Sequence, residues 1–304
     1  MPRHTLTRRI AGLTATALSS SALAQSNNAC ASATFLPIGG SVTGTTTILT
    51  TTDGSSTCGG SRDVWHFVNV ECAGSLTVYT CPASFDTVVS LYDACGGTEL
   101  GCNDDSGYCG TAYPLASAVT LQVAPGTYYI RVAGFGGAVG DYTLNAVLEP
   151  SAPANDACAN AFPITDGAFL GCTAGATTDG AAACGSSNGS PDVWYRYFAL
   201  CDGTLDVFTC PAGFDTVISV HADCPGTVGN QIACNDDSGY CGAAYPLASH
   251  VSVPVAAATG YLIRVSGFNG ASGAFVLNTQ LTSAAPPNDA CANARPISDG
   301  AYIG

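Results

Sequence analysis

The sequence predicts an all-β chain of tandem β-sandwich or jelly-roll domains stabilised by disulfides. Three observations lead there. Val, Thr and Tyr recur in short alternating runs bounded by Gly, Pro or Asp, the pattern of half-buried strands joined by tight turns. Sixteen cysteines follow an export-type leader, as in a disulfide framework. The chain also repeats itself: openings at Asn27, Asn155 and Asn288 lie 128 and 133 residues apart.

Taken in order, residues 1–25 read as a signal peptide. Arg3, Arg8 and Arg9 precede an apolar run from Ile10 to Ala24 that ends "ALA" before Gln25. "TRRIAG" is a weak match to a twin-arginine signal, so the general export route is preferred. Beyond the leader, five arginines face 22 acidic residues, a net charge of −17. That excludes nucleic acid as a partner and argues against anionic membrane surfaces, both of which need basic patches. It suits solubility and, secondarily, divalent cations. No later stretch is long and apolar enough to span a membrane. The predicted location is extracellular or the cell surface.

Two complete units follow, at 26–150 and 151–285, and 286–304 opens a third. "NDACANAFPITDGAFLG" from Asn155 is answered by "NDACANARPISDGAYIG" from Asn288 and, more weakly, by "NNACASATFLPIGGSVTG" from Asn27. "RDVWHF" matches "PDVWYR", and "LTVYTCPASFDTVVSLYDAC" matches "LDVFTCPAGFDTVISVHADC". Linkers "EPSAPA" and "TSAAPP" separate the units. The 17 residues from Asn288 cannot bury a core of their own, so the sequence reads as a piece of a longer repeat protein. Strands are expected in the first unit at Asp63–Val70, Ser75–Thr80, Thr87–Tyr92, Val119–Val123, Thr127–Ala133 and Asp141–Val147. Alternation within the fifth puts Arg131 on the outer face, and Arg264 repeats that placement. A short helical turn is expected near Asp156–Ala161.

The order "NDACANA", "PDVWYR", "FDTV", "CNDD", "YYIRVAGF…GDYTL" resembles the bacterial pre-peptidase C-terminal (PPC) domain family, over nearly the whole chain after the leader. The resemblance implies β-sandwich accessory modules carried beside secreted peptidases, distantly related to the collagen-binding modules of clostridial collagenases. In those relatives, an Asn-Asp at the domain start and an aspartate before a strand hold calcium. The matching positions are Asn155, Asp156 and Asp192, and Asn27, Asn28 and Asp63. The family's upstream glutamates are absent, with Ala and Pro in their place.

Comparing the two units shows which polar residues both keep. No histidine recurs: His66 is matched by Tyr195, His221 by Tyr92 and His250 by Ala118. A shared triad of the Ser-His-Asp kind is therefore unsupported, and no catalytic residue is assigned. Six cysteines recur: Cys58, Cys72, Cys81, Cys95, Cys102 and Cys109 match Cys184, Cys201, Cys210, Cys224, Cys234 and Cys241. They can close three bridges per unit in any of 15 connectivities, short loops such as Cys95–Cys102 or Cys224–Cys234 among them. Cys158 can pair with Cys172, Cys30 is expected to be free or to bridge outside its unit, and Cys291 has its partner past Gly304. A second acidic constellation combines the aspartate of "FDT" with "NDD": Asp86, Asn103, Asp104 and Asp105, and Asp215, Asn235, Asp236 and Asp237. Turn chemistry accounts for it first, with calcium as an alternative. Trp65 and Trp194 occupy matched strand positions and read as core. The expected function is that of a non-enzymatic, secreted accessory or adhesive repeat of a larger exported bacterial protein. One alternative is a calcium-assisted module binding matrix protein or polysaccharide; another is part of a secreted peptidase whose catalytic domain is absent here. The partner is an extracellular ligand or the rest of the same polypeptide.

Overall fold

The structure is a computed structural model that describes residues 25–47 and 50–285. The expected signal peptide, up to residue 24, and the third-unit opening lie outside the described residues. The first unit contains β1 (Thr34–Phe35), β2 (Ser41–Thr45), β3 (Ser61–Val70), β4 (Gly74–Ala83), β5 (Thr87–Tyr92), β6 (Glu99–Asn103), β7 (Ala118–Val123), β8 (Gly126–Gly134) and β9 (Asp141–Pro150). The second repeats them as β10 (Phe162–Ile164), β11 (Gly167–Cys172), β12 (Asp192–Ala199), β13 (Gly203–Ala212), β14 (Thr216–His221), β15 (Gln231–Asn235), β16 (His250–Val255), β17 (Thr259–Gly267) and β18 (Ala274–Ser283).

Each unit is a sandwich of two sheets. In the first, β1-β3-β8-β5-β6 faces β2-β9-β4-β7; in the second, β10-β12-β17-β14-β15 faces β11-β18-β13-β16. All pairings are antiparallel except β1 with β3 and β10 with β12. The inward residues alternate as the sequence pattern requires, Val64 and Val68 against Ile130, Val132, Leu76 and Leu144 in one unit. Val193, Tyr195, Ile263, Val265, Leu205 and Leu277 do the same in the other. All six strands expected in the first unit form. The expected helical turn is a single 3-10 turn, Cys158–Asn160. Strands β1, β2 and β6 escape a sequence reading, being short and broken by Gly, Thr or Cys rather than alternating.

Two expectations are corrected. Arg131 and Arg264 do stand on the outer faces of β8 and β17, but both are fully buried, because the segments before β3 and β12 fold over those faces. The cysteine pairing also differs. Cys30 bridges Cys95 inside its own unit and is neither free nor linked outside it; Cys158 pairs with Cys224, not Cys172. Cys58–Cys102 and Cys184–Cys234 tie the covering segment to the edge strand, and Cys81–Cys109 and Cys210–Cys241 tie the loop after "NDD" to β4 and β13. Cys72 crosses to Cys172 in the next unit, with Cα atoms 5.7 Å apart, and among the described residues Cys201 has no bridging partner and is exposed. Local loop length misleads here because strand pairing, not sequence proximity, sets which Cα atoms approach within bridging range.

Candidate functional site

The motif "CNDDSGYCG" ends β6 and β15 and begins a loop pinned at both ends. Asn103 Oδ1 accepts the Ala118 N–H at 3.1 Å, and Asn235 Oδ1 accepts that of His250 at 3.0 Å, starting β7 and β16. Behind the turn lies a buried knot of hydroxyls. Thr80 Oγ1 and Thr87 Oγ1 are 2.7 Å apart, Thr87 Oγ1 and Ser117 Oγ 3.1 Å, and Ser117 donates to the Asp104 carbonyl. Thr209, Thr216, Ser249 and Asp236 repeat it. Gly107, Gly110, Gly239 and Gly242 take φ of +63° to +73°, which lets the loop turn back. Tyr108 then packs on Tyr79 at 4.7 Å, and Tyr240 stacks on His250 at 3.9 Å.

This framework converges carboxylates. Each of Asp86, Asp104 and Asp105 offers an oxygen within 4.8 Å of the others, and Asp215, Asp236 and Asp237 do likewise. One oxygen each of Asp86, Asp104, Asp215 and Asp236 is shielded from solvent and receives no hydrogen bond. Loss of water around Asp104, with Asp86 and Asp105 beside it, pushes its carboxyl up. Loss of water also raises Asp86 and Asp215, with Asp105 and Asp237 adding repulsion. Asp236 is pushed up to about 6 by the same loss of water and by Asp215 and Asp237. Without a counter-charge such a group holds a proton; with one it can hold a hard divalent cation through several oxygens.

The other constellation is a clasp. Asn27 donates to the Trp65 carbonyl at 3.0 Å while its own carbonyl accepts the Trp65 N–H at 2.8 Å; Asn155 does the same with Trp194, both at 2.9 Å. Asn28 Oδ1 accepts the Thr51 N–H at 2.7 Å, and Asp156 Oδ1 that of Thr177 at 2.6 Å. An acceptor oxygen is all this position needs, which explains why Asn and Asp interchange there. Asp63 is fully buried and accepts Arg131 Nε at 2.6 Å and the N–H groups of Asp53 and Gly54 at 3.1 and 3.2 Å. Asp192 accepts Arg264 Nε at 2.6 Å, with Asp179 and Gly180 N–H at 3.4 and 3.2 Å. A guanidinium, backbone amides and, at Asp156, the Thr177 hydroxyl occupy the carboxylate oxygens of this constellation, so the clasp is accounted for by hydrogen bonding within the fold.

Sequence reasoning missed the partners of that clasp. Asp53 accepts the Trp65 indole N–H and the Cys30 N–H; Asp179 accepts those of Trp194, at 2.5 Å, and Cys158, at 2.7 Å. The signal was present as "TTDG", identical at Thr51–Gly54 and Thr177–Gly180. The histidines serve the fold locally. His66 Nδ1 and Nε2 lie 2.7 Å from Thr34 Oγ1 and Tyr142 OH, His221 Nε2 lies 2.8 Å from Ser219 Oγ, and His250 meets Asp206 at 2.9 Å. No histidine site is shared by the units among the described residues. None of their helices is long and apolar enough to cross a membrane.

Solved structures similar to the chain include the pre-peptidase C-terminal domain of collagenase from Bacillus anthracis, 13% identical over 38% of this chain and 93% of its own, with a TM-score of 0.28. The CUB1-EGF-CUB2 domains of rat MASP-1 are 10% identical over 82% of this chain and 99% of theirs, at 0.23. The tandem CBM51 modules of the family 98 glycoside hydrolase from Streptococcus pneumoniae are 11% identical over 74% and 81%, at 0.20. No curated protein sequence matches the chain. The T9SS-associated family described as "Galactose binding domain-like" matches residues 26–133 and again 154–270, and the chain belongs to that family, once in each sandwich.

Proposed function

We propose that the chain is a non-enzymatic, exported accessory module that binds an extracellular polysaccharide or matrix protein on behalf of a longer polypeptide, in the manner of the pre-peptidase C-terminal modules it resembles. One observation carries this reading. Both units keep the same exposed loop, with Tyr108 and Leu115 in one and Tyr240 and Leu247 in the other 46–55% exposed beside the acidic trio. Most other polar clusters the units share are consumed by folding. Aromatic and apolar side chains held on a rigid, disulfide-pinned loop are suited to a sugar face or a protein surface. The test is binding of the two-unit chain to immobilised polysaccharides and collagen, with Tyr108→Ala and Tyr240→Ala as variants. Binding reduced at least tenfold by the pair supports the reading. Binding that both variants leave intact, or release of sugar or peptide products by the chain alone, overturns it.

A second reading, calcium assistance at Asp86, Asp104 and Asp105 and at Asp215, Asp236 and Asp237, is favoured by the shielded carboxylate oxygens that no described residue satisfies. Calcium at about a hundred times its Kd would stabilise the fold by about 2.7 kcal/mol. An unchanged melting midpoint between calcium and chelator would sink it.

A further inference from the structure

The two units are joined by a bridge that neither could close alone. Cys72, in the turn between β3 and β4, is linked to Cys172, the last residue of β11 in the next unit. Cys201 occupies the same turn in the second unit, between β12 and β13, and is the unpaired cysteine among the described residues. The bridge therefore has a donor position at the far end of a unit and an acceptor position on the near edge of its successor.

Four independent observations show that the far end of the second unit is set out like that of the first. The turn geometry is the same, because Gly74 is opposite Pro150 and Gly203 opposite Ser283. The outgoing linker leaves along the same path: the Ser151 N–H donates to the Ala73 carbonyl at 2.9 Å, and the Ala284 N–H to that of Asp202 at 2.8 Å. Four residues then separate the strand end from the next opening in both places, Ser151–Ala154 before Asn155 and Ala284–Pro287 before Asn288. Counting on, "NDACANARPISDGAYIG" ends at Gly304, matching Gly171, so the following position corresponds to Cys172. The surface around Cys201 is also apolar where its counterpart is charged. Leu200, 78% exposed, replaces Glu71, and Phe198 is 53% exposed. Both line a cleft of about 430 Å³ with Thr165, Asp166 and Cys201. At the near edge of the first unit the acceptor position is Thr45, paired with Asp141 as Cys172 is paired with Ala274.

We propose that Cys201 is a linking cysteine, whose partner is the cysteine at the Cys172-equivalent position of a following repeat. The disulfides then staple successive sandwiches into one covalent string alongside the peptide linkers. The coupling is thiol–disulfide exchange. Cys201 Sγ–H and the partner Sγ–H lose their protons and two electrons to a disulfide oxidant R–S–S–R. An S–S bond forms between the units, and the oxidant leaves as two R–SH. Cys72–Cys172 is the same product one unit earlier.

The experiment extends the chain after Gly304 with a copy of Cys172–Ser283 in which the second copy of Cys201 is replaced by Ser, completing a third sandwich. Cys291→Ser is made in the parent alone, because in the extended chain Cys291 has the copied Cys224 as its partner, as Cys158 has Cys224. After export or refolding with oxidised glutathione, unfolded samples are alkylated without reduction and mapped by mass spectrometry. In the parent, Cys201 should be alkylated and Cys72 joined to Cys172. In the extended chain, the Cys201 peptide should be joined to that of the first appended residue, with its alkylation reduced at least tenfold. A second variant covers misfolding of the new unit: Thr45→Cys in the parent supplies an acceptor on a sandwich already present. Mild oxidation should then link Cys201 of one molecule to position 45 of another in preference to Cys201–Cys201 dimers. Cys201 left alkylatable in the extended chain with no link to position 45 overturns the proposal, as does a parent in which Cys72 is not joined to Cys172.

Discussion

Replacing Asp63 by Asn tests the buried clasp most directly. Asp63 and Arg131 are both fully buried, and their contact is 2.6 Å. The guanidinium also donates to the carbonyls of Gly59 and Gly60 at 3.0 Å, so it is held on three sides and cannot swing out to water. In the variant the amide keeps one acceptor oxygen but turns an NH2 either toward the Asp53 amide or toward Arg131 and the Gly54 amide, which share the other oxygen. One donor then faces another, and a full positive charge stays sealed without its carboxylate. Breaking a buried pair this way costs about 3–5 kcal/mol. For a unit of this size that corresponds to a fall in melting temperature of roughly 10–20 °C. Urea unfolding under non-reducing conditions, resolved by hydrogen exchange, should show β3 and β8 losing protection while β12 and β17 keep theirs. Asp192→Asn should reverse that pattern. Arg131→Lys keeps the charge but cannot fork to three acceptors, and should cost about 1–3 kcal/mol. A cost below about 1 kcal/mol for Asp63→Asn, the value of a solvated surface pair, would refute the sealed-charge reasoning.

Other outcomes follow from the same geometry. Asp236 has its folded pKa raised to about 6 from 3.8, so its stabilising contribution is present below 3.8 and is lost as pH rises through about 6. In chelator, the stability of the parent relative to Asp236→Asn should therefore fall between about pH 4 and pH 6, and a difference that stays constant in calorimetry would contradict it. His66 runs the other way: burial lowers its pKa to about 4 from 6.5, so the first unit loses stability as pH falls below 6.5. The second unit places Tyr195 and Phe275 where the first has His66 and Tyr142, so the pair His66→Tyr with Tyr142→Phe should fold and remove that acid sensitivity, read by melting at pH 5 and pH 7. Gly180→Ala would drive a Cβ into the Trp194 ring and against Arg264, at a cost of about 1–3 kcal/mol in urea. Proteolysis within Ser151–Ala154 should leave the sandwiches on one band until reductant is added, because Cys72–Cys172 spans the cut.

Much of the fold was legible because it rests on alternation. Thr127–Ala133 alternates cleanly and forms β8, while Glu99–Asn103 carries Gly and Cys in place of a strand pattern and still pairs with β5. The site was half legible. The acidic set itself was legible, because matching "FDT" and "NDD" in both units already combines Asp86 with Asp104 and Asp105, and the β5–β6 pairing is what brings them together; the "TTDG" partners of the clasp were not. The burial of Arg131 was hidden for a related reason. Period-two logic assigns a face of the sheet, not whether a distant segment covers that face, and the cover is the stretch that ends in "TTDG". Cys30 escapes a sequence reading because Thr45 stands where the second unit has Cys172, while its actual partner, Cys95, lies 65 residues away.

The two copies separate features that folding explains from one that it does not. The Asp–Arg clasp, the Trp–Asp hydrogen bonds and the hydroxyl knot recur, and each satisfies buried polar groups that would otherwise destabilise the sandwich. The acidic trio recurs as well, yet it works against the fold: shielded oxygens lack donors, and neighbouring carboxylates repel one another. Asparagine at one of the three would relieve that repulsion while keeping the turn, as Asn28 does where Asp156 stands in the other unit. Neither trio makes that exchange. A feature that local stability would discard, kept twice among features that stability requires, is where a ligand for this module is best sought.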